Sequence, residues 1–339
     1  MNTIRSQRPP TPRKVKVEEV VKETAGGTQS RASVAVVDGD TRFLKSAHPS
    51  HYGSSPNFES EFLAHDLFQM VGIEAPQAEM LELMPDSPLY KELGPSVLST
   101  EFVDKEFTGG AKVRGGGWGM PDGGVVDDFF NMVLVDLVMG NADRRGANYF
   151  VAYSEDGVKP IPIDNNSGFG NLSTQKMGTN HCNFIKSYDG AGETKGLRQN
   201  GKIANMFIDT MLHYELLDEA HEQKRILELA EQFKEKLTDE KIEQMVERLP
   251  RQVIPEGASV EFYLPENIDP RTEQLLSNGA VKGLSGDQLF AFRKRQLKDT
   301  LAWRRDNLPR ALKQYFAELN DPKVDPLKDC SDDWNMLGR

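Results

Sequence analysis

Alternating apolar and polar positions predict a β-rich region over the first hundred residues. Apolar residues concentrate in 15–21 and 33–37, and Asp38-Gly39-Asp40 separates the second group from 41–46. An Asp-Gly pair between two apolar runs is typical of a tight β-hairpin. The pattern therefore predicts three antiparallel strands, of which the third contains Lys45.

A helical repeat follows these strands. Between residues 57 and 71 the apolar residues recur on one helix face, and Gly72 would end the helix because glycine accepts a left-handed backbone. Alternation returns over 77–83 and 96–103 and predicts two more strands. Together these elements predict a small antiparallel β lobe with one helix.

The second half of the chain predicts a larger, mostly helical lobe. Apolar residues repeat at helical spacing over 126–138, directly before Gly140, and Glu155-Asp156-Gly157 predicts a hairpin between 149–153 and 158–163. Four further helical patterns occupy 203–217, 223–237, 238–249 and 285–319. The last is a long helix or a helix pair, in which a break is expected at Pro309. We therefore expect an α+β fold with two lobes.

Composition divides the chain into five segments. We expect a disordered tail over 1–14, a small lobe over 15–108, a glycine-rich linker over 109–124, a large lobe over 125–320 and a flexible tail over 321–339. The linker is interpreted either as a mobile loop beside a substrate cleft or as a flexible insertion. The basic start of the chain is interpreted as a flexible tail or as an export signal for a specialised secretion system.

The net charge, the apolar runs and the cysteines limit the partners and the location that we expect for the protein. The 339 residues carry a formal charge of −11, which argues against nucleic-acid binding, and no apolar run is long enough to span a bilayer. The two cysteines, Cys182 and Cys330, have neither a metal-binding nor a disulfide spacing, which favours a reducing compartment. We expect a cytoplasmic protein without integral membrane contact, or a translocated effector, and the sequence indicates no oligomeric state.

The segment 140–170 contains the most informative group of polar residues. Asp143 precedes Asn148 by five positions, and the predicted hairpin would bring Asp164 back beside Asn148. In phosphoryl transfer one carboxylate orients the attacking hydroxyl, while an amide oxygen and a second carboxylate hold Mg²⁺. A solvated loop with Asx turns would also explain the spacing. Arg144 would bind phosphate or pair with an acidic neighbour, and the sequence leaves both interpretations open.

Two further groups extend the candidate site into the small lobe. Lys45 on the third strand would contact the nucleotide phosphates, and Glu61 on the helix is its candidate partner, with Glu59 as the alternative. A solvated surface lysine is the competing interpretation. Gly26-Gly27-Thr28 would present backbone N–H groups to phosphates, although an ordinary turn has the same sequence features.

These segments carry a resemblance to a known family of enzymes. The similar stretches are GGTQSRASVAVV, RFLK, NFESEFLAHDLFQMVGIEAP, GNADRRGANYF and PIDNNSGFG. With them, residues 20–170 resemble the HipA-like and phosphatidylinositol 3-/4-kinase-like atypical kinases. The resemblance implies a two-lobed protein-kinase-like fold that binds ATP and Mg²⁺, with catalytic Asp143, a Lys45–Glu61 pair, metal ligands Asn148 and Asp164, and a hinge for adenine that includes Glu101 and Val103.

The expected activity is transfer of the ATP γ-phosphoryl group to a hydroxyl. A Ser or Thr of a protein substrate is the first choice, and a lipid or small-molecule acceptor is the alternative. The same site could transfer AMP, or the chain could be a nucleotide-binding pseudokinase that acts as an interaction module. His-Arg-Asp and Asp-Phe-Gly motifs are absent from the sequence, so eukaryotic-type protein kinases match poorly.

Overall fold

The structure is a computed structural model. It describes residues 12–24, 31–46, 58–103, 127–141, 144, 148–154, 157–165, 220–253 and 286–319. The predictions for the linker over 109–124, the helix over 203–217 and the tail over 321–339 lie outside this part of the chain. Of the predicted N-terminal tail, residues 1–11 also lie outside it, whereas Arg13 and Lys14 belong to a strand.

A six-stranded sheet forms the N-terminal lobe. Its strands are β1 (Arg13–Val15), β2 (Val17–Thr24), β3 (Ala32–Val37), β4 (Asp40–Ser46), β5 (Ala78–Leu83) and β6 (Ser96–Glu101). The spatial order is β1-β5-β6-β4-β3-β2, and every neighbouring pair is antiparallel except β1 and β5. Helix α1 (Phe58–Met70) and a single turn, α2 (Tyr90–Leu93), interrupt the strands.

The C-terminal lobe is helical apart from one hairpin. It contains α3 (Asp127–Met139), the hairpin β7 (Tyr149–Ser154) and β8 (Gly157–Pro162), α4 (Ala220–Lys236), α5 (Asp239–Glu247) and α6 (Gly286–Leu319). The predicted α+β class is confirmed: a β lobe, antiparallel except for the β1–β5 pair, is followed by a larger helical lobe. Among the described helices, none combines the length and apolarity that crossing a bilayer requires.

The first predicted strand is wrong as a single element, because Lys16 divides it. β1 pairs in parallel with β5 at one edge of the sheet, whereas β2 pairs with β3 at the opposite edge. One residue can join opposite edges only if the sheet curls on itself. The curled sheet encloses a buried apolar cluster: Val15, Val17, Ala35, Val37, Leu44, Leu81, Leu83, Leu89, Leu93 and Val97.

The predicted turn between β3 and β4 is confirmed. Asp38 and Gly39 have φ values of 52° and 82°, so both adopt the left-handed conformation that a type I′ hairpin turn requires. This turn fixes a register in which Lys45 lies opposite Ala32 on β3 and Leu98 on β6. Lys45 is therefore held on a strand that is paired on both sides.

Helix α3 lies at the centre of the helical lobe. Ten of its thirteen residues are buried, because α1, α4 and α6 all pack against it. The helix ends at Gly140, which has a φ of 70°. The loop that contains the candidate catalytic residues therefore begins on the most deeply buried helix of the described lobe.

The expected break at Pro309 is wrong, since α6 continues through it from Gly286 to Leu319. Proline removes one backbone hydrogen bond from a helix interior, and such helices bend rather than end when packing holds both sides. Leu308, Ala311 and Leu312 are buried in the core on either side of the proline. Tertiary packing thus outweighs the local preference of Pro309.

Candidate active site

A cavity of about 210 Å³ opens between the sheet, α1 and the β7–β8 hairpin. Residues from both lobes line it, among them Phe43, Lys45, Glu61, Thr100, Ile163 and Asp164. The wall is mostly apolar, and three of its charged residues, Lys45, Glu61 and Asp164, are joined by ion pairs. This combination is typical of a site that binds a flat apolar group and a charged group together.

Lys45 is the cation of this cavity. Its ammonium lies 2.8 Å from Glu61 Oε1 and 2.7 Å from Asp164 Oδ1, and the residue is 7% exposed. Burial disfavours the charged form, but the charges and hydrogen bonds of Glu61 and Asp164 outweigh it and raise the pKa of Lys45 above its ordinary value. Lys45 is therefore a permanently charged group at neutral pH.

Glu61 lies in the first turn of α1 and is also buried. While Oε1 accepts from Lys45, Oε2 accepts hydrogen bonds from the backbone N–H of Asn165 at 3.0 Å and from its side-chain amide at 3.3 Å. Both oxygens thus have partners, as a buried carboxylate requires. The alternative partner of Lys45, Glu59, instead accepts a hydrogen bond from Arg293 on α6.

Asp164 follows β8 at the point where the hairpin returns to the loop. Its φ of 53° lies in the left-handed region, which aspartate tolerates better than most residues. The preceding residue, Ile163, donates its backbone N–H to the carbonyl of Asn148 at 2.9 Å. The hairpin therefore brings Asp164 back to the segment of Asn148, although the two are sixteen positions apart.

Arg144 is fully buried near the cavity and makes hydrogen bonds to several segments of the chain. Its Nε and Nη2 donate to the two carboxylate oxygens of Asp136 on α3, at 2.9 Å and 2.8 Å, and its guanidinium lies over the Phe68 ring. Bidentate pairing of this kind is geometrically specific. Of the two interpretations open from the sequence, pairing with an acidic neighbour is the one observed.

The remaining hydrogen bonds of Arg144 hold the loop itself. Nη1 donates to the carbonyls of Asn148 at 2.5 Å and Ile163 at 2.8 Å, and Nη2 donates to Asn165 Oδ1 at 2.5 Å. Asn165 in turn contacts Glu61. A continuous network therefore links α3, the hairpin and α1.

Asp136 and Asn165 are the members of this network that the sequence interpretation missed. Asp136 was visible as a carboxylate within the otherwise apolar run 132–139, and such a group must find a partner when buried. No comparable signal marked Asn165, since it is one of four polar residues in a row over 164–167.

The Asp164 carboxylate fits Mg²⁺, whereas Asn148 is buried and is not among the residues that line the cavity. Asp164 supplies a carboxylate that is 40% exposed at the cavity, and Asn148 belongs to the adjoining segment. Carboxylate and amide oxygens suit this hard cation, which usually keeps several waters and takes only one or two protein ligands. Within the described residues, no group of three or more His, Cys, Asp or Glu side chains could hold a metal ion.

The other predicted site residues divide into two groups. Glu101 and Val103 line the cavity at the end of β6, where Glu101 Oε2 accepts a hydrogen bond from the backbone N–H of Gln77 at 3.1 Å. Asp143, Gly26, Gly27 and Thr28 lie outside the described residues, and their roles stay predictions.

Comparison with known proteins gives structural similarities of low sequence identity. No family model matches the sequence, and no curated protein matches it. The structure is similar to a proinflammatory kinase, CtkA, of Helicobacter pylori, with a TM-score of 0.49, 13% identity, and coverage of 92% of this chain and 100% of that one. It is also similar to HipA of Shewanella oneidensis MR-1, from a toxin–antitoxin complex with HipB and operator DNA, with a TM-score of 0.40, 12% identity, and coverage of 87% and 67%.

Proposed function

We propose that this protein is an ATP- and Mg²⁺-dependent phosphotransferase that moves the γ-phosphoryl group of ATP to a hydroxyl. The observation that carries the proposal is the buried cation Lys45, held between Glu61 of α1 and Asp164 at the end of β8. A strand lysine paired with a helix glutamate, facing a metal-binding aspartate, is the arrangement by which kinases position nucleotide phosphates. The cavity beside it supplies an apolar wall for adenine.

Each residue would then have a defined role. Lys45 would bind the phosphates adjacent to the transferred group, because its charge is permanent and Glu61 fixes its position. Asn148 and Asp164 would hold Mg²⁺, which when bound neutralises charge on the phosphate oxygens. Glu101 and Val103 would contact adenine through the chain that leaves β6.

Asp143 would orient the acceptor hydroxyl and accept its proton. In the reaction the acceptor oxygen forms a bond to the γ-phosphorus, the bond from that phosphorus to the β-phosphate oxygen breaks, and ADP leaves. The buried network around Arg144 would hold the segment that carries Asp143 and Asn148 at a fixed distance from Lys45. Such preorganised positioning supplies much of the rate enhancement in phosphoryl transfer.

We propose a protein Ser or Thr as the acceptor. A net charge of −11 disfavours approach to an anionic bilayer surface, and this makes a phosphoinositide acceptor, and the phosphatidylinositol-kinase side of the resemblance, the less favoured alternative. If the acceptor is a small-molecule alcohol, the phosphoryl label from ATP appears in a low-molecular-weight product. If the acceptor is a protein, the label appears in protein.

The test is transfer of γ-labelled ATP by wild type and by Asp164→Asn, in the presence of Mg²⁺ and a soluble protein extract. Asparagine tolerates a left-handed backbone as aspartate does, so the substitution removes the charge without straining the chain. The matched control is Asp38→Asn, because Asp38 has the same conformation in a hairpin turn remote from the cavity. We expect Asp164→Asn to lose at least about 100-fold in rate, as is usual when a charge-stabilising group is removed, and Asp38→Asn to transfer at the wild-type rate.

The products discriminate between the alternatives. Intact mass of the acceptor reports a gain of phosphoryl for a kinase and of nucleotidyl for an AMP transferase. Equal rates for Asp164→Asn and wild type would contradict the proposed metal role. Binding of Mg·ATP without transfer to any acceptor, including water, would identify a pseudokinase instead.

A further inference from the structure

A second buried ion pair lies beside the Lys45–Glu61 pair. Arg293 of α6 donates from Nε to Glu59 Oε1 at 2.6 Å, and the two side chains are 3% and 0% exposed. Glu59 belongs to the same first turn of α1 as Glu61. The partner of Glu59 comes from a helix 234 positions further along the chain.

The two glutamates hold α1 from different sides. Residues two positions apart in a helix point in directions about 200° apart, so their side chains do not face the same neighbour. Glu61 accordingly reaches β4 of the sheet, whereas Glu59 reaches α6 of the helical lobe. The first turn of α1 is therefore clamped between a cation from each lobe.

We infer that Arg293 is a positioning residue that keeps α1 where Glu61 contacts Lys45. The consequence for catalysis rests on the proposed function, but the consequence for the Lys45–Glu61 contact does not.

Burial explains why the loss of Arg293 would move α1. Among the described residues the second oxygen of Glu59, Oε2, has no hydrogen-bond partner, so Arg293 is the charge that compensates this carboxylate. Without Arg293 the buried carboxylate would be uncompensated, a situation that is strongly unfavourable. Displacement of the first turn toward water relieves it, and Glu61 moves with that turn.

Lys45 itself reports such a displacement. In the wild type the Lys45 side chain is buried and its ammonium donates hydrogen bonds to Glu61 and Asp164, so a reagent in solution reaches it slowly. Withdrawal of Glu61 removes one of these two hydrogen bonds and moves the first turn of α1 away from Lys45, so a reagent reaches the Lys45 amine more readily.

The experiment measures acetylation of Lys45 by N-hydroxysuccinimidyl acetate, followed by peptide mass spectrometry, in the full-length protein without nucleotide. We expect faster labelling in Arg293→Met than in wild type. The control is Lys298→Met, which removes a cation of the same helix that pairs with Glu243 and Glu247 of α5. Labelling of Lys45 in this variant should equal that of wild type.

A double variant tests whether the effect passes through Glu59. Because Glu59→Gln removes the carboxylate that needs compensation, Glu59→Gln/Arg293→Met should protect Lys45 again to within about threefold of wild type. If Arg293→Met does not fold, the double variant is the test of the inference. Labelling of Lys45 in the double variant that is much faster than in wild type overturns the inference. Wild-type labelling in a folded Arg293→Met protein also overturns it.

Phosphotransfer separates failure of the inference from failure of the proposed function. If both hold, Arg293→Met loses kcat and the double variant recovers most of it. A wild type that transfers nothing, with labelling that responds as expected, contradicts the proposed function and leaves the inference supported. If phosphotransfer depends on Asp164 but labelling of Lys45 is unaffected by Arg293→Met, the proposed function is supported and the inference about Arg293 is contradicted.

Discussion

Arg144 joins three segments of the chain without reaching the cavity. Its guanidinium is fully buried, pairs with Asp136 and holds the carbonyls of Asn148 and Ile163. A phosphate-binding arginine must instead present free N–H groups to the ligand. Its contribution to function is therefore the position of the loop.

We expect Arg144→Met to lower the free energy of unfolding by about 3 kcal/mol or more, because it leaves the buried Asp136 carboxylate without its cation. Denaturant unfolding followed by circular dichroism measures this change. The control is Arg225→Met, whose pair with Asp127 is partly exposed and contributes less than about 1 kcal/mol. Equal losses in the two variants would contradict the role of Arg144.

The positions of single site residues were predictable from the sequence where a nearby turn or a helical repeat determines them. The hairpin Asp38-Gly39 fixes the register of β4 and so the position of Lys45, and helical periodicity places an acidic residue on the first turn of α1. The choice between Glu59 and Glu61 could not be made locally. It depends on Arg293, which lies more than two hundred positions away.

Helix α3 ends against α6 in a very close contact. The guanidinium of Arg304 is buried there and donates to the carbonyl of Val138 at 3.0 Å, and burial lowers the pKa of Arg304 to about 10. A Cβ atom on Gly140 would lie 2.5 Å from Arg304 Nη1. The close packing of Arg304 against the end of α3 thus requires glycine at position 140.

Gly140→Ala should destabilise the protein more than Gly72→Ala. Both glycines end a helix with positive φ, so alanine costs about 1–2 kcal/mol of backbone strain at either position. A Cβ on Gly72 meets nothing within 4 Å, whereas a Cβ on Gly140 collides with Arg304. The difference between the two unfolding free energies measures that collision, and the prediction fails if Gly72→Ala costs as much.

Glu247 of α5 links this helix to Lys294 and Lys298 of α6. Burial favours the neutral acid, but hydrogen bonds from the two lysines outweigh it and lower the pKa of Glu247 below its ordinary value of 4.5. Because the folded pKa is the lower one, the stabilisation is complete above pH 4.5 and is lost as the pH falls through the folded value.

Glu247→Gln should therefore cost up to about 1 kcal/mol at pH 7, since the glutamate is half exposed. The difference from wild type should shrink as the pH falls below 4.5. Urea unfolding at several pH values measures it, with the exposed change Glu235→Gln on α4 as the control. A difference that stays constant with pH would show that charge is not its cause.

Elements with strong local signals were predictable, and those set by distant contacts were not. The limits of α1, α3 and the β7–β8 hairpin follow from periodicity and glycine positions. The division of the first strand at Lys16 follows from pairing with β5, which lies more than sixty residues later. Likewise, α6 passes through Pro309 because the core holds it on both sides.

The two lobes meet through charged groups that a single ligand would contact. Lys45 belongs to the sheet, whereas Asp164 follows the hairpin of the helical lobe, and both line one cavity. Mg·ATP should therefore stabilise the whole described fold, by about 2.7 kcal/mol at a ligand concentration one hundred times Kd. Thermal unfolding with and without Mg·ATP measures this shift, which Lys45→Met should reduce. A midpoint unchanged by Mg·ATP in the wild type would contradict nucleotide binding.

The irregular outer strand of the sheet has a consequence for how the protein behaves at high concentration. Among the described strands β2 pairs only with β3, and its register shifts twice along its length. The exposed carboxylates of Glu18 and Glu19 lie at the first of these shifts. A strand of another molecule needs a flat, uncharged edge to pair with. The bulges and charges of β2 thus protect a largely β-structured lobe from edge-to-edge aggregation.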